Sequence, residues 1–187
     1  MSLSVTNKEN LKVIFDKVNR VYYFDQAGAA LSAQTTGIEF PVLEDGVTFD
    51  TGEAEISEVK LTDNTTWVSK TTQGDSDISF QVSSVHTTIN DLLMEKKSSA
   101  TISGFSFDGM TYSGTGYSLA PKKITGALLM LSEDKTTAIY LPNVEMHASF
   151  NGDGGDDSTG YYNVVVTPLP DNQGASFYPL QGVAAGG

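Results

Sequence analysis

The chain has 187 residues, 39% of them hydrophobic and 10% aromatic, which is enough to bury a core and too apolar for a disordered polypeptide. It contains no cysteine, which excludes a disulfide framework, thiolate catalysis and thiolate zinc sites. The net charge of −12, from 23 acidic and 11 basic residues, disfavours binding to nucleic-acid phosphates and to anionic membranes.

The first forty residues predict a hairpin followed by a loose connection. Apolar patches at residues 11–15 and 20–24 precede a stretch of small residues at 26–33. The N-terminus lacks the apolar stretch of a secretory signal, and no apolar run approaches the roughly 20 residues that span a bilayer. We therefore expect a protein made in the cytoplasm, without a membrane partner, in which residues 1–37 form an arm or hairpin.

The next segment combines acidic residues with short strand patterns. Eight acidic residues lie between Glu39 and Asp63 and face a single cation, Lys60, a pattern typical of a solvated face. Strands are predicted at residues 38–42, 54–60 and 67–70. The polar segment 61–77 is predicted to be a long hairpin or exposed loop.

A strand followed by a helix comes next. Residues 78–82 alternate apolar and polar side chains, and residues 87–97 then switch to helical spacing. Thr88 and Asp91 have the spacing of a capping box. An apolar stripe and a basic C-terminal turn complete the helix pattern, formed respectively by Ile89, Leu92 and Leu93 and by Lys96 and Lys97. We expect the stripe to pack on a sheet.

After the helix, strand patterns recur every eight to twelve residues, as in a sandwich or barrel. The predicted strands are residues 100–108, 110–119, 125–133, 136–141, 144–150 and 161–167. Asp108 and Gly109 predict a tight turn between the first two, and residues 127–131 are apolar on both faces, as in a central strand. We predict a mainly β fold, a β-sandwich or partly closed barrel with one flanking α-helix. It forms a single domain over residues 1–187 with a C-terminal tail at 171–187, whose end, residues 182–187, is mobile unless a neighbour orders it.

Residues that could carry chemistry are scattered. His86 and His147 are the two candidate bases, and neither accompanies a nucleophile motif. No pair of carboxylates stands out by an apolar setting. The acidic loop at 151–158 has oxygen ligands suited to calcium, although a plain hairpin loop explains it equally well. We therefore assign no catalytic, cofactor-binding or metal-ligating residue, and we expect a protein that is not an enzyme and needs no cofactor.

Residues 40–52 read FPVLEDGVTFDTG and residues 53–59 read EAEISEV, followed by the polar segment 61–77, the strand at 78–82 and the helix at 87–97. This order resembles that of the tail-tube (major tail) proteins of long-tailed bacteriophages, and the similarity extends through the glycine-spaced strands at 104–116 to Tyr161. The resemblance implies a β-sandwich with one helix, six copies of which close into a ring by pairing of edge strands. The rings stack into a hollow tube through which the genome passes. The tube protein of bacterial type VI secretion shares this architecture.

The resemblance also implies partners: copies of the same chain, other tail proteins, and DNA that passes through the channel of a virion tail without specific binding. Six copies at −12 each would place about −72 on one ring, which would keep DNA from adhering. Glu53, Glu55 and Glu145 are candidates for the channel lining. Segment 61–77 is a candidate for ring stacking, and its Trp67 is either a core residue or an interface anchor.

A second hypothesis is a non-enzymatic β-sandwich module that binds carbohydrate or a cell surface. It would use exposed aromatic residues and calcium bound by the loop at 151–157; the aromatic residues would be Tyr112, Tyr117, Tyr161 and Tyr162. Binding on a glycan array or stabilisation by calcium would favour this hypothesis over assembly. A hydrolase that uses a pair of carboxylates is a third hypothesis.

Overall fold

The computed structural model describes residues 14, 15, 17–152 and 159–182. In this part of the chain one α-helix, α1 (Thr87–Leu93), accompanies a short 3-10 helix at Leu31–Ala33. The strands are β1 (Val18–Phe24), β2 (Gly37–Phe40), β3 (Val42–Asp50), β4 (Ala54–Lys60), β5 (Thr66–Gln73), β6 (Asp77–Val82), β7 (Glu95–Phe107), β8 (Met110–Ser118), β9 (Ile124–Ser132), β10 (Thr137–Asn151), β11 (Tyr161–Pro168) and β12 (Tyr178–Gln181). The predicted class, a mainly β protein of the sandwich or partly closed barrel type with one α-helix, is confirmed. Neither described helix has the length and apolar character needed to cross a bilayer.

Eight strands form one sheet in the order β2-β1-β9-β10-β11-β6-β3, with β12 also paired to β10. Two further sheets are two-stranded hairpins, β4–β5 and β7–β8. The chain divides into two compact units. The first comprises the described residues up to Glu44, Ile124–Glu145 and those from Pro168 onward, and the second comprises Asp45–Lys123 with Met146–Thr167. β10 runs from one into the other.

The first unit is organised around β1 and β9. β1 pairs antiparallel with both β2 and β9, so it is an interior strand. Val21 of β1 and Leu128 and Met130 of β9 are fully buried, whereas Leu129 and Leu131 are half-buried, so one face of the sheet is covered more completely than the other. The Tyr23 hydroxyl donates a hydrogen bond to the Thr125 carbonyl oxygen at 2.8 Å, which satisfies the one polar atom of that buried ring.

The second unit has its core on β6, β11 and α1. β6 buries Ile78, Phe80 and Val82 at alternating positions and pairs antiparallel with β11. α1 contributes Ile89 and Leu93 to the buried set, so the predicted burial of its apolar stripe is confirmed for these two residues. The hairpins β4–β5 and β7–β8 also belong to this unit.

The helix is shorter than predicted and is capped differently. It ends at Leu93, and Met94 is already extended, so Lys96 and Lys97 lie in β7. The N-cap is His86, whose Nδ1 accepts a hydrogen bond from the Thr88 backbone N–H at 3.2 Å. The predicted capping box is therefore wrong. The carboxylate of Asp91 instead contacts residues that follow the helix.

Segment 61–77, predicted as a long hairpin or exposed loop with a strand at 67–70, contains β5, which pairs with β4 as a hairpin across a short turn. The N-terminal arm or hairpin predicted at 1–37 contains β1, which pairs with β2 and β9. The tail predicted at 171–187 contains β12, a strand that was not predicted, which pairs with Thr137–Tyr140 of β10. β12 takes its hydrogen bonds from a partner distant in sequence, which local pattern does not reveal. Residues 11–13 of the predicted N-terminal hairpin and the end of the tail after Gly182 lie outside the described residues.

Other predicted strands are confirmed. Predicted strands 78–82 and 125–133 match β6 and β9 within a residue, and residues 136–141 and 144–150 join into the single strand β10. The predicted turn between β7 and β8 is also confirmed. Asp108 and Gly109 both have positive φ, 48° and 77°, as a two-residue hairpin turn with the right twist requires.

Candidate functional site

The two hairpins are exposed on both faces. Every residue of β4, β5 and β7 is exposed, as are the first five residues of β8. A two-stranded sheet on its own is only marginally stable in water, because neither face is covered. The hairpins are therefore the surfaces that gain most from a partner, and they form the candidate site.

One face of the β7–β8 hairpin is apolar. The register places Phe105 opposite Tyr112 and Phe107 opposite Met110, and residues opposite one another point to the same side. Ile102, opposite Gly114, extends this side across the bulge. The Phe105 and Phe107 rings are nearly parallel, with centroids 6.4 Å apart, and Tyr112 lies 6.5 Å from Phe105. We call this set, Ile102, Phe105, Phe107, Met110 and Tyr112, the apolar hairpin face.

The other face of the same hairpin carries hydroxyl groups. Its members are the residues that alternate with the apolar ones, namely Thr101, Ser106, Thr111, Ser113 and Thr115. The hydroxyls of Ser106 and Thr111 lie 3.2 Å apart, and the Ser113 hydroxyl accepts a hydrogen bond from the Gly104 backbone N–H at 3.1 Å. We call this set the hydroxyl face. The hairpin is therefore amphipathic, although neither face is covered by any residue that the structure describes.

Beyond its first three residues, the β7–β8 hairpin carries almost no charge. Between Lys97 and Lys122 the one charged residue is Asp108, which occupies the turn. Exposed strands usually carry charged residues or proline that discourage pairing with another chain. Residues 98–107 and 110–118 contain neither a charged residue nor a proline. The lack of charge is visible in the sequence, whereas the exposure of these strands is visible only in the structure.

A groove lies beside the apolar hairpin face. The pairing of β7 with β8 is interrupted by register shifts after Lys97 and after Ile102. Gly104, which has a positive φ of 66°, lies at the shift after Ile102. The groove has a volume of about 420 Å³ and is lined by Ala100–Ile102 and Tyr112–Gly116. A Cβ added at Gly114 would meet nothing within 4 Å, so the groove is open there.

The base of the hairpin is fastened to α1 through Asp91. One carboxylate oxygen of Asp91 accepts a hydrogen bond from the Tyr117 hydroxyl at 2.6 Å, and the other pairs with Lys96 Nζ at 2.8 Å. Lys96 is in β7 and Tyr117 is in β8, opposite each other. Lys122 Nζ donates to the backbone carbonyls of Asp91 and Leu92 at 2.7 and 2.9 Å. The last turn of the helix therefore holds both strands at their root.

These contacts shift the pKa values of Asp91 and Tyr117 in opposite directions. The hydrogen bond from Lys96, followed by that from Tyr117, holds the pKa of Asp91 below its ordinary value. The hydrogen bond to Asp91, followed by partial desolvation and the charge of the carboxylate, raises the pKa of Tyr117 to about 12. Both shifts favour the protonation states at neutral pH that make the hydrogen bond.

The β4–β5 hairpin is more polar. Trp67 is 69% exposed, so its assignment to the core is wrong, while its role as an interface anchor stays a prediction. Val59 pairs with Val68 on one face, and Ile56 pairs with Thr71 on the other, each mixed with charged or hydroxyl neighbours. Residues 54–73 carry five charges, Glu55, Glu58, Lys60, Asp63 and Lys70. Neither face of this hairpin is continuously apolar.

The acidic candidates for a channel lining differ in exposure. Glu55 is exposed in β4 and Glu53 lies just before it, whereas Glu145 is half-buried in β10. Whether any of them faces a channel stays a prediction.

The four tyrosines proposed for ligand binding have different roles. Tyr162 is buried, and its hydroxyl donates to Asn90 Oδ1 at 2.7 Å. Tyr117 is engaged by Asp91, and Tyr112 belongs to the apolar hairpin face. Tyr161 is half-buried at the start of β11. Tyr162 was expected to be exposed, and that expectation is wrong because the ring packs against Phe150 at 5.1 Å.

No cluster of three or more potential metal ligands occurs among the residues that the structure describes. His86 serves as a helix cap, and His147 is exposed on β10. Most of the calcium candidate loop, residues 153–158, lies outside the described residues.

A cavity of about 370 Å³ in the first unit is bordered by Tyr140, Asp171 and Tyr178. Both oxygens of the Asp171 carboxylate there already accept hydrogen bonds from Tyr178 and from backbone amides, so this carboxylate is a structural group.

A scan against protein-family models found no match to the sequence, and a search of curated proteins found none either.

Proposed function

We propose that this chain is a structural subunit that assembles with copies of itself into the tube of a bacteriophage tail. In that role it acts through its surfaces and catalyses no reaction. Its partners are identical subunits and other tail proteins, and DNA passes through the channel without specific binding. The tube of a type VI secretion system would use the same kind of assembly.

The observation that carries the proposal is the exposure of two long hairpins on both faces. Together β4, β5, β7 and the first five residues of β8 expose every residue, and they include large apolar side chains such as Trp67, Phe105 and Phe107. Exposed apolar patches of this kind mark interaction sites in soluble proteins. Each hairpin also has two unpaired edges that a neighbouring chain can complete with backbone hydrogen bonds. The mainly β fold and the order of strands and helix that resembles tail-tube proteins support the same role.

The charge distribution fits an assembly around a channel for DNA. The chain carries −12 in total, whereas residues 98–121 carry a single charge. Like-charged subunits repel one another, so contact through a neutral hairpin lowers the electrostatic cost of association. The acidic remainder of the surface would repel a phosphate backbone and so permit sliding.

The experiment is to follow the state of the purified full chain over a wide range of concentration and ionic strength. Sedimentation velocity measures the mass of the particles, and negative-stain electron microscopy shows their shape. We expect rings or tubes at high concentration. Association should strengthen as salt is raised from about 10 to 150 mM, because screening weakens the repulsion between subunits while apolar contacts persist.

A chain that stays monomeric at every concentration and salt would contradict the proposal. Closed rings or stacked tubes would support it, and irregular aggregates that grow without a defined diameter would count against it. A monomer at low concentration is expected, because the hairpins then lack neighbours. Thermal unfolding followed by circular dichroism, run in parallel, establishes that each sample is folded.

A further inference from the structure

We infer that the apolar hairpin face of β7–β8 is the surface that a second copy of this chain covers, and that the hydroxyl face remains in water. This inference rests on the proposed function, because it names the contact through which the subunits would associate. It commits to one side of one hairpin. The choice follows from exposed area, charge and the way the hairpin is held.

The exposed area suits a contact between proteins. The five residues of the apolar hairpin face are each between 50% and 66% exposed. With roughly 200 Å² for each large side chain, they present roughly 600 Å² of mostly apolar surface. A stable interface buries roughly 800 Å² on each partner, so this face with its immediate surroundings is large enough.

The composition suits the centre of an interface. Interface centres are depleted in charged residues and enriched in aromatic residues and methionine. The apolar hairpin face has three aromatic residues and one methionine, and no charge lies among them. The hydroxyl face offers groups that water satisfies equally well, so its burial would gain much less.

A second copy is the occupant that the charge pattern favours. Two chains of net charge −12 meet with least repulsion where each presents a neutral surface, and residues 98–121, most of which are exposed, carry one charge. A cationic partner would instead be drawn to the acidic surfaces elsewhere. The groove of about 420 Å³ at Gly114 also leaves space for a side chain from the neighbour.

The root of the hairpin is already ordered before any partner arrives. Asp91 holds Lys96 on one strand and Tyr117 on the other, and Lys122 is anchored to the end of α1. Ordering a flexible segment on binding costs affinity, so a hairpin fixed at its base is a better docking element than a free one.

Two adjacent residues give a matched test of the face. Phe105→Glu places a charge on the apolar hairpin face, and Ser106→Glu places the same charge on the hydroxyl face one residue away. Both positions are exposed in the free chain, so both variants should keep their unfolding temperature. Phe105→Glu should raise the protein concentration needed for assembly at least tenfold, and about 100-fold if the ring is fully buried in the contact. Ser106→Glu should change it less than threefold.

Alkylation provides a second test with smaller perturbations. The chain has no cysteine, so a single introduced thiol is the one reactive site. Met110→Cys lies on the apolar hairpin face and Thr111→Cys on the hydroxyl face. The rate of alkylation of each thiol is compared between dilute monomer and concentrated assembly. We expect at least tenfold protection of Met110→Cys on assembly and little change for Thr111→Cys.

The outcomes separate this inference from the proposed function. If the wild-type chain forms rings and both glutamate variants assemble equally well, the face assignment is overturned while the proposed function stands. Equal or reversed protection of the two thiols would overturn it as well. If the wild-type chain does not associate at all, the proposed function is contradicted, and the face assignment, which rests on it, is contradicted with it. Flotation of this monomer with neutral phosphatidylcholine vesicles, lost in Phe105→Glu but not in Ser106→Glu, would assign the face to lipid and overturn the second copy as its occupant.

Discussion

Gly126→Ala tests how closely β1 and β9 approach each other. A Cβ at Gly126 would lie 2.9 Å from Cζ of Tyr23 and nearer still to Cε2 of that ring and to the carbonyl oxygen of Phe24. Contacts under 3.0 Å force a neighbour to move. The Tyr23 ring is buried and held by its hydrogen bond to Thr125, and the Phe24 oxygen belongs to the backbone of an interior strand, so neither yields easily.

The expected cost follows from that geometry. Overpacking of a core by one methyl group costs typically 1–3 kcal/mol, and a backbone obstacle places this site at the upper end, about 3 kcal/mol. That corresponds to roughly a 100-fold smaller folding equilibrium constant. For a chain of this length it lowers the unfolding temperature by about 6–12 °C.

Urea unfolding followed by far-UV circular dichroism measures the effect, with Gly114→Ala as the matched control. A Cβ at Gly114, also in a strand, meets nothing within 4 Å. Since glycine in a strand is less favourable than alanine by about 0.5–1 kcal/mol, this control should be neutral or slightly stabilising. The reasoning is refuted if Gly126→Ala costs less than about 1 kcal/mol, or if the two variants are equally stable.

Three further outcomes are expected. In Asp91→Asn the pKa of Tyr117 should fall from about 12 towards its ordinary value of 10.0, as measured by NMR of ring-labelled tyrosine, and a value still near 12 would contradict the proposed root contact. Hydrogen bonds from Ser132 and Thr136 lower the pKa of Asp134 to about 2, so its contribution to stability is complete above the ordinary value of 3.8 and is lost as the pH falls towards 2. Wild type and Asp134→Asn should therefore differ in unfolding temperature at pH 5 and converge near pH 2, and a constant difference would be contrary evidence. Trp67→Ser should change the free energy of unfolding of the monomer by no more than about 0.5 kcal/mol, because the side chain is 69% exposed, and a larger loss would place the indole in a core.

The strands most accurately predicted from the sequence are those with strict alternation or a continuous apolar run. β6 alternates buried Ile78, Phe80 and Val82 with more exposed neighbours, and the apolar run in β9 predicts its buried interior position. Both patterns predict the strands correctly because a sheet face that is buried requires apolar side chains at every position that points to it.

The end of the helix shows where local pattern misleads. Glu95, Lys96 and Lys97 are good helix formers, yet they begin β7 because β8 supplies a strand partner for them. Trp67 misleads in the opposite way. An aromatic residue in a strand pattern is usually buried, and here the chain provides no described residue to cover it. The presence of a pairing strand decides the first case and the absence of a covering described residue decides the second, and neither is visible in the local sequence.

The candidate site divides in the same manner. The single charge in residues 98–121 and the alternation of Phe105 and Phe107 with hydroxyl residues are properties of the sequence, so the amphipathic character of β7–β8 is local information. That the apolar side is uncovered, and that Asp91 holds Lys96, Tyr117 and Lys122, depends on packing across the second unit.

The sequence alone determined the acidic charge, the absence of thiol chemistry, the preponderance of strands and the two-sided pattern of the hairpin. These follow from residue types and from spacings of two or three positions, which set how a short segment meets water. Only the tertiary structure decided which strands are interior, where the helix stops, how near Gly126 lies to β1, and which apolar side chains stay exposed. Those outcomes depend on contacts between residues far apart in the chain. The fold decides which strand supplies hydrogen bonds to a backbone group and which side chains cover an apolar face.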